Sequence, residues 1–463
     1  MSVALEVENL SVWVGEHRLV GPISFAIPEG GVLVVMGETG AGKSLLAQAI
    51  LGGLPEALTA EGKVILRDQR IDTLSSRARA SLWGREMTML PQEPWRALSP
   101  LKRAGKQVRE THRFVAGHSR RAARDAMRDD FAALSLTGAE RKLPGELSGG
   151  MAQRVAFAAA RAGGAPLLLA DEPTKGLDAD RRDVVAGLLS GVVADGGTVL
   201  AITHEVAVAR QLGGEAMILK DGALVEAGPC AALLANPSSD YARDLLAADP
   251  IAWSAPPTVT QGAEVLRADG LSVERGGKTL MSDFDLSLRA GERVALTGPS
   301  GSGKTSLLDV LAGLLRPMAG SVNRGADVGR TGIQKLYQDP PAAFPPHVTL
   351  KASLRDVVRL HGAEWGKVMA LLERLKIEPS MLDRRPNAVS GGELQRIALA
   401  RALSIEPAIL LADEPTSRLD PITQRETMNL IAEEAARANI AVVLVTHDQD
   451  TAAVWADRSI AIG

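Results

Sequence analysis

Short apolar runs recur along the chain, and each ends at a polar or glycine-rich position. Runs of about five residues that are rich in β-branched side chains are typical of strands buried on both faces of a sheet. The runs occupy residues 31–36, 166–170 and 198–203 in the first half of the chain, and residues 293–297, 408–412 and 441–446 in the second half. This pattern predicts six buried strands.

Segments with helical composition follow or separate these runs, at residues 45–51, 120–136, 306–311 and 363–377. Strands that alternate with helices predict an α/β fold, in which a mainly parallel sheet has helices on both faces. No run of about 18 or more apolar residues occurs, so we expect no direct membrane insertion. The first ten residues carry acidic side chains and no long apolar run, so we expect no secretory signal.

Four motifs occur twice in the same order, which indicates an internal repeat. They are a glycine-rich loop at 37–44 and 298–305, a Ser-Gly-Gly segment at 147–150 and 389–392, a strand-end Asp-Glu-Pro-Thr at 171–174 and 413–416, and a Thr-His pair at 203–204 and 446–447. We therefore predict two domains, 1–249 and 264–463. The prolines between them suit an extended linker over 250–263.

The spacing between the copies has one large change along the chain. It is 261 positions at the lysine (304 − 43) but 242 at the serine (390 − 148), so the second copy is 19 residues shorter in its middle (261 − 242). It is again 242 at the aspartate (413 − 171) and 243 at the histidine (447 − 204). The nearly constant spacing of the later motifs predicts one rigid scaffold in each copy, with the variable middle region outside it.

Composition narrows the possible classes of protein. The chain has 463 residues, of which 46% are hydrophobic, and a formal net charge of −3. This length suits two or three domains with sizeable cores, and the near-neutral charge argues against a nucleic-acid partner. Cys230 is the single cysteine. It permits no intrachain disulfide, and it argues against a zinc or iron–sulfur site built from cysteines.

The glycine-rich loops predict phosphate binding. Successive backbone N–H groups in such a loop can turn towards an anion, and the N-terminus of the following helix adds its positive dipole. Lys43 and Lys304 are expected to reach the β- and γ-phosphates of ATP, and Ser44 and Thr305 to ligate Mg²⁺. The predicted loop residues are Gly37, Glu38, Thr39, Gly40, Ala41, Gly42, Lys43 and Ser44 in the first copy, and Gly298, Pro299, Ser300, Gly301, Ser302, Gly303, Lys304 and Thr305 in the second.

Each copy also has two adjacent carboxylates at the end of an apolar strand, where ligands bind in open α/β sheets. Asp171 and Asp413 are expected to hold Mg²⁺. Glu172 and Glu414 are expected to orient or deprotonate the attacking water. A carboxylate pair at a strand end is often only a solvated edge, but the phosphate loop upstream favours the catalytic interpretation.

Together these motifs resemble the ATP-binding cassette family over nearly all of residues 4–235 and 264–463. The Ser-Gly-Gly element is the specific part, because other P-loop ATPases lack it. The resemblance implies that each copy has a RecA-like P-loop NTPase core, a small antiparallel β subdomain and a helical subdomain.

The resemblance also implies that the two cassettes pair head-to-tail within one chain. Each ATP site would then join the phosphate loop of one copy to the Ser-Gly-Gly segment of the other. The loop that carries Lys304 would face Ser148, Gly149 and Gly150, and the loop that carries Lys43 would face Ser390, Gly391 and Gly392.

Three further pairs of residues match family positions. Gln92 and Gln338 match the Q-loop glutamine, which senses Mg²⁺ and the attacking water, so both are expected at the metal site and among the catalytic residues. His204 and His447 match the switch histidine that contacts the γ-phosphate. Asp178 and Asp420 match the aspartate of the D-loop, which couples the two sites.

The position that stacks on adenine departs from the family pattern. Family cassettes use an aromatic residue near the N-terminus. Trp13 lies close to that position, although Val14 aligns with it, and the second copy has Arg275 there. Stacking by Trp13 or by the Arg275 guanidinium is an open prediction.

The resemblance extends to a subfamily. Residues 37–44, 91–100 and 148–154, with the tail 228–246, are similar to the importer ATPases for dipeptides, oligopeptides and nickel. It implies an ATPase that couples ATP hydrolysis at two sites to uptake of a small solute: a peptide, an opine, a glutathione-like compound or a metal chelate. The implied partners are two transmembrane permease subunits and an extracytoplasmic solute-binding protein. The implied location is the cytoplasmic face of the inner membrane, through the permeases.

Two other classes of function are open. A tandem cassette that acts on ribosomes or DNA would have a long charged segment or zinc modules between the copies, whereas this linker is short and not basic. A regulatory ATP-binding module would not need both Glu172 and Glu414. Since both glutamates and both histidines are present, we predict hydrolysis at both sites.

Overall fold

The computed structural model describes residues 2–92, 94–174, 177, 179–257, 259–299, 301–329, 331–417 and 419–462. The chain divides into two compact units, Met1–Leu246 and Ala247–Gly463. Each unit combines a mainly parallel sheet, a separate antiparallel sheet and a group of helices. The predicted α/β class is therefore confirmed.

The first unit contains ten strands and nine helices in its described residues. The strands are β1 (Val3–Val14), β2 (His17–Pro28), β3 (Val32–Met36), β4 (Leu58–Leu66), β5 (Gln69–Arg70), β6 (Met87–Leu90), β7 (Leu167–Asp171), β8 (Thr198–Ile202), β9 (Glu215–Lys220) and β10 (Ala223–Pro229). The helices are α1 (Lys43–Leu51), α2 (Ser76–Ala80), α3 (Ala104–Phe114), α4 (Arg120–Ala133), α5 (Gly149–Arg161), α6 (Ala179–Ala194), α7 (Val206–Leu212), α8 (Cys230–Ala235) and α9 (Asp240–Ala247).

The second unit repeats this order with fewer elements. Its strands are β11 (Glu264–Arg275), β12 (Lys278–Arg289), β13 (Arg293–Thr297), β14 (Ala319–Arg324), β15 (Ile333–Leu336), β16 (Ile409–Asp413), β17 (Ala441–Val445) and β18 (Arg458–Ala461). Its helices are α10 (Lys304–Ala312), α11 (Leu350–His361), α12 (Trp365–Arg374), α13 (Gly391–Leu403), α14 (Pro421–Ala438) and α15 (Gln449–Trp455).

The central sheet of each unit places the ends of the motif-bearing strands side by side. In the first unit the strand order is β10-β9-β3-β8-β7-β6, and the strands from β9 to β6 are parallel. In the second unit the order is β15-β16-β17-β13-β18, all parallel. The phosphate loop, the histidine, the Asp-Glu pair and the glutamine each follow one of four adjacent strands. Because the carboxyl ends of parallel strands share one edge of the sheet, these motifs lie close together.

The six predicted strands correspond to β3, β7, β8, β13, β16 and β17. Every residue of β3, β7 and β8 is buried, as is every residue of β16 and β17. Strands covered by helices on both faces need apolar side chains in both directions, which explains the continuous rather than alternating apolar runs. The predicted helices at 45–51, 120–136, 306–311 and 363–377 appear as α1, α4, α10 and α12.

Each unit has an antiparallel sheet beside its central sheet, ordered β2-β1-β4-β5 in the first and β12-β11-β14 in the second. The helices of the middle region pack around cores of their own. Phe131 is fully buried among the side chains of α3, α4 and α5. Leu354 and Leu371 lie in the corresponding core of α11, α12 and α13.

The first residues of the predicted linker belong to the second unit. A short 3₁₀ turn at Pro250–Ala252 is followed by Trp253, whose side chain packs against the apolar core of that unit. The Trp253 indole N–H donates to the Ala248 carbonyl over 2.9 Å.

None of the helices in the described residues has both the length and the apolar character that crossing a bilayer requires.

Candidate active site

The loop between β3 and α1 requires its glycines. Gly37 and Gly42 have φ values of 146° and 87°, a region that L-residues with side chains avoid. A Cβ on Gly37 would lie 2.2 Å from the Leu219 carbonyl oxygen. Gly42 forms the N-cap of α1, so the loop leads directly into the positive end of that helix.

The second loop has the same backbone geometry. Gly298 and Gly303 have φ values of 141° and 98°, and Gly303 forms the N-cap of α10. A Cβ on Gly298 would lie 2.0 Å from the Ile462 carbonyl oxygen. Ser300, which we predicted in this loop, lies outside the described residues. Both loops therefore present a helix N-terminus of the kind that binds phosphate.

The loop lysines are nearly fully buried and folded over their own loops. The Lys43 ammonium donates to the carbonyl oxygens of Gly37 and Glu38 over 2.8 and 2.7 Å. The Lys304 ammonium donates to those of Gly298 and Pro299 over 2.7 and 2.9 Å. These bonds fix each positive charge at the loop, where the phosphates of a nucleotide would lie.

The hydroxyl and the aspartate predicted to hold Mg²⁺ meet in each unit, whereas the glutamine predicted with them, Gln92 or Gln338, donates to the neighbouring glutamate. The Ser44 hydroxyl donates to Asp171 Oδ1 over 2.9 Å, and the Thr305 hydroxyl donates to Asp413 Oδ1 over 3.2 Å. Mg²⁺ prefers oxygen ligands, and it is typically held by one or two protein groups together with substrate phosphates and water. The described residues contain no cluster of three or more His, Cys, Asp or Glu side chains that could hold a metal alone. These residues therefore fit a cation shared with phosphate oxygens.

In the second unit, one oxygen of the strand-end aspartate is still available. Asp413 Oδ2 is buried and has no hydrogen-bond partner among the described residues, and the nearby Lys335 ammonium lies 3.8 Å away, beyond hydrogen-bond distance. Burial raises the pKa of Asp413, and the hydrogen bond from Thr305 only partly offsets this effect. A buried carboxylate oxygen without a donor is the kind of group that a cation would satisfy.

Both predicted catalytic glutamates have strained backbones. The φ angles of Glu172 and Glu414 are 44° and 46°, in the left-handed region. Their N–H groups donate to the carbonyl oxygens of Ile202 and Val445 over 2.9 and 3.0 Å. Strain of this kind persists where the surrounding structure enforces it, and it is common at active sites.

The glutamine and the histidine of each unit approach the carboxylate of the glutamate. In the first unit, Gln92 Nε2 donates to Glu172 Oε2 over 3.3 Å, and His204 Nδ1 lies 3.4 Å from Glu172 Oε1. The Lys43 ammonium is 3.7 Å from the same Oε1. The first unit therefore brings three predicted polar side chains together around the carboxylate of Glu172.

The second unit repeats this arrangement. Gln338 Nε2 donates to Glu414 Oε2 over 2.9 Å, and His447 Nδ1 lies 3.5 Å from Glu414 Oε1. Burial alone would raise the pKa of Glu414, but the hydrogen bonds from His447 and Gln338 outweigh it and lower the pKa. The bond to Glu414 raises the pKa of His447. Glu414 is thus ionised near neutral pH and can accept a hydrogen bond or a proton from water.

The Ser-Gly-Gly segments begin the helices α5 and α13. Ser148 Oγ accepts from the Met151 N–H over 3.4 Å. Ser390 Oγ accepts from the Glu393 N–H over 3.3 Å, while the Glu393 carboxylate accepts from the Ser390 N–H over 2.7 Å. Both serines are exposed N-caps, so each following pair of glycines, Gly149-Gly150 and Gly391-Gly392, lies in the first turn of a helix.

Residues 20–175 and 281–417, together more than half of the chain, match the ABC transporter family. The chain belongs to the ABC transporter family. It is a tandem of two ATP-binding cassettes, and it is an ATPase.

Similar proteins include importer and transport ATPases. The chain is 30% identical to "Peptidoglycan transport ATP-binding protein YejF" of Agrobacterium fabrum, over 93% of this chain and 84% of that protein. It is 30% identical to "Glutathione import ATP-binding protein GsiA" of Escherichia coli K12, over 96% of this chain and 82% of that protein.

Among solved structures, the chain is similar to "RNase-L Inhibitor", with a TM-score of 0.66 and 20% identity over 94% of this chain and 83% of that one. At this level of identity the similarity shows the fold alone. It agrees with the two-cassette P-loop NTPase architecture.

The residues predicted to stack on adenine have other contacts in the cassettes. The Arg18 guanidinium lies over the Trp13 ring, 5.7 Å from its centroid. In the second cassette the Arg275 guanidinium donates to the Ser306 hydroxyl over 3.4 Å. Adenine stacking stays a prediction at both positions. Of the D-loop aspartates, Asp420 forms the N-cap of α14, and Asp178 lies outside the described residues.

In each cassette, a glutamine without a predicted role connects the Ser-Gly-Gly helix to the segment that follows the strand-end aspartate. Gln153 Nε2 donates to the Pro173 carbonyl over 2.6 Å, and Gln395 Nε2 donates to the Glu414 carbonyl over 3.2 Å. Both side chains are buried. The signal was present in the sequence, because the two glutamines are also 242 positions apart (395 − 153).

The tail helix α9 contacts the first phosphate loop. The Glu38 N–H donates to the Tyr241 hydroxyl over 3.1 Å, and the Tyr241 ring lies 4.8 Å from the Lys220 ammonium. Tyr241 is 9% exposed, so this hydroxyl is held in a defined position.

Replacing Tyr241 with phenylalanine is expected to weaken ATP binding at the first site by about threefold to tenfold, because one loop hydrogen bond contributes about 1 kcal/mol. Titration with a fluorescent ATP analogue measures the affinity, with Lys304→Ala in the background so that only the first loop binds. The matched control is Tyr241→Phe in a Lys43→Ala background, where the second site should be unaffected. An unchanged first-site affinity would show that the Tyr241 hydroxyl does not position the loop.

Proposed function

We propose that this chain is the ATP-hydrolysing subunit of an importer for a small solute, with two active sites. The observation that carries the proposal is the complete set of polar side chains in both cassettes: a loop lysine, a hydroxyl, two strand-end carboxylates, a glutamine and a histidine. The proposed direction of transport and the proposed class of cargo rest on the similarity to glutathione import and peptidoglycan transport ATPases. Cargoes consistent with this similarity are peptides, opines, glutathione-like compounds and metal chelates.

Each ATP site needs groups that neutralise the charge of the phosphates and a group that orients the attacking water. Lys43 and Lys304, with the N-termini of α1 and α10, would hold the phosphates in place. When bound with ATP, Mg²⁺ on Ser44 and Asp171, or on Thr305 and Asp413, would neutralise phosphate charge. Glu172 and Glu414 would accept a hydrogen bond from the attacking water, in the orientation that their glutamine and histidine neighbours impose.

The family resemblance supports a composite arrangement of these sites. We propose that Ser148, Gly149 and Gly150 complete the site of Lys304, and that Ser390, Gly391 and Gly392 complete the site of Lys43. A helix N-terminus with an exposed serine N-cap and two glycines in its first turn suits a γ-phosphate, because its N–H groups and dipole favour negative charge. ATP would then drive closure of the two cassettes through contacts that exist only in the closed state.

The glutamines give a route from the sites to a membrane partner. Gln92 and Gln338 follow β6 and β15 and lie near the start of the middle regions, roughly residues 85–160 and 333–402, ahead of the helices of those regions. We propose that closure moves these helices against two permease subunits, which an extracytoplasmic solute-binding protein supplies with cargo. The chain would then lie at the cytoplasmic face of the inner membrane, bound through the permeases.

A tagged chain purified from its native cells in mild detergent tests this proposal. We expect two polytopic membrane proteins to co-purify, and reconstitution with them and a solute-binding protein to give ATP-dependent uptake into vesicles. The Glu172→Gln/Glu414→Gln variant should co-purify with the same proteins and give no uptake. Sedimentation with ribosomes in the absence of membrane proteins would instead support the alternative class of tandem cassettes.

A further inference from the structure

The second cassette has a buried lysine beside its strand-end aspartate. Lys335 lies in β15, and its side chain is 4% exposed. Its ammonium is 2.6 Å from Asp309 Oδ1 on α10 and 3.8 Å from Asp413 Oδ2 on β16. The Tyr337 ring covers it at 5.3 Å from the centroid. Since a buried ammonium needs a partner, the Asp309 pair holds this charge in place.

The first cassette has uncharged residues at both positions. Met89 pairs with Leu169 in β6 and β7, and Lys335 pairs with Leu411 in β15 and β16. Leu169 and Leu411 each precede the strand-end aspartate by two residues, so the register makes Met89 the counterpart of Lys335. Counting from the loop lysines, Gln48 is the counterpart of Asp309, since both follow their lysine by five positions. The lysine and aspartate are therefore a paired difference between the cassettes.

This pair changes the electrostatics of one metal site and not of the other. The Asp413 carboxylate uses Oδ1 for the Thr305 hydroxyl, and the structure places the positive Lys335 ammonium 3.8 Å from Oδ2. A fixed positive charge there offsets part of the negative electrostatic potential of the carboxylate, and it repels a divalent cation. Burial limits screening by salt and water, so the effect is larger than for a surface lysine. Asp309 reduces the repulsion, but the ammonium is the end of the pair that faces Asp413.

We propose that the Lys335–Asp309 pair makes the second ATP site bind its divalent cation more weakly than the first. This inference rests on the proposed binding of metal and ATP at both loops. At limiting cation concentration, the first cassette would carry metal-bound ATP while the second would not. The two sites would then load in a fixed order, although both have intact catalytic residues.

Mn²⁺ binding to the full chain with a non-hydrolysable ATP analogue tests the proposal, because Mn²⁺ uses the same oxygen ligands and its free concentration is measurable by electron paramagnetic resonance. We expect two nucleotide-dependent classes of site, with dissociation constants that differ on the order of tenfold. Lys335→Met/Asp309→Gln, which gives the second cassette the residues of the first, should merge the two classes.

Single substitutions predict opposite changes and control for damage to the fold. Lys335→Met should strengthen Mn²⁺ binding at the weak site, because the repelling ammonium is lost and Asp309 remains. Asp309→Asn should weaken it further, because Lys335 then lacks its counterion. Met89→Lys/Gln48→Asp should weaken the strong site in the same way. Thermal unfolding of each variant verifies that the cassettes are folded.

The outcomes separate this inference from the proposed function. The inference would be overturned if the two sites of the natural chain bound Mn²⁺ with equal affinity. It would also be overturned if Lys335→Met bound the analogue normally and its Mn²⁺ affinity were unchanged. Either result would leave the proposed ATP sites standing. An absence of any nucleotide-dependent Mn²⁺ binding would overturn the proposed metal and ATP sites themselves.

Discussion

Replacing Glu172 and Glu414 together with glutamine is expected to lower ATP hydrolysis by at least about 100-fold, while ATP still binds. Each carboxylate is the group that its glutamine and histidine neighbours converge on, at distances from 2.9 to 3.5 Å. Glutamine has nearly the same shape but cannot take a proton from water. Phosphate release measures the turnover, and equilibrium binding of labelled ATP measures the affinity.

Glu8→Gln is a control of the same chemistry on the surface, where Glu8 pairs with Lys63 over 2.6 Å. It should hydrolyse ATP as the natural chain does. Hydrolysis in the double variant within a few-fold of the natural chain would remove Glu172 and Glu414 from the catalytic step. Equal losses in binding and turnover would instead indicate that the glutamates shape the nucleotide pocket.

Replacing Gly149 with aspartate is expected to lower ATP hydrolysis on the order of tenfold or more without destabilising the first cassette. A Cβ at Gly149 would meet nothing within 4 Å in the described residues, so the side chain fits. An acidic residue in the first turn of α5 interacts favourably with the helix dipole. The loss would therefore come from repulsion of the γ-phosphate that we place opposite this helix, at the site of Lys304.

Gly187→Asp provides the matched control for this substitution. Gly187 is an exposed position on α6 that also has no atom within 4 Å of its Cβ. The Gly187→Asp substitution adds the same charge to the same cassette outside the Ser-Gly-Gly segment. The variant should hydrolyse ATP as the natural chain does. Equal activity of Gly149→Asp and the natural chain would contradict the proposed role of the Ser-Gly-Gly segment.

The topology could be predicted from sequence because its determinants are local and repeated. Continuous apolar runs in pairs defined the buried strands, and the glycine loops defined where a strand passes into a helix. The order in which β3, β8, β7 and β6 lie side by side is not a local property. It nevertheless places the predicted motifs at one edge, because each motif directly follows a parallel strand.

The contacts that the sequence did not reveal join residues that are far apart along the chain. Tyr241 contacts Glu38, which lies 203 positions earlier in the chain. The sequence of the tail helix α9 did not indicate that this helix packs against the phosphate loop. In the sequence, Lys335 is an ordinary polar residue near the end of a strand. Only the pairing of β15 with β16 shows that it lies beside Asp413. The positive φ of Glu172 and Glu414 was equally hidden, since it is imposed by the neighbouring strands β8 and β17 rather than by residue type.

The central claim is that one chain contains two complete ATP sites. The most direct measurement is the number of ATP molecules bound per chain in the Glu172→Gln/Glu414→Gln variant, by equilibrium dialysis at saturating ATP. We predict two per chain, falling to one when either Lys43→Ala or Lys304→Ala is added. A stoichiometry of one that is abolished by a single lysine substitution and unaffected by the other would contradict the claim.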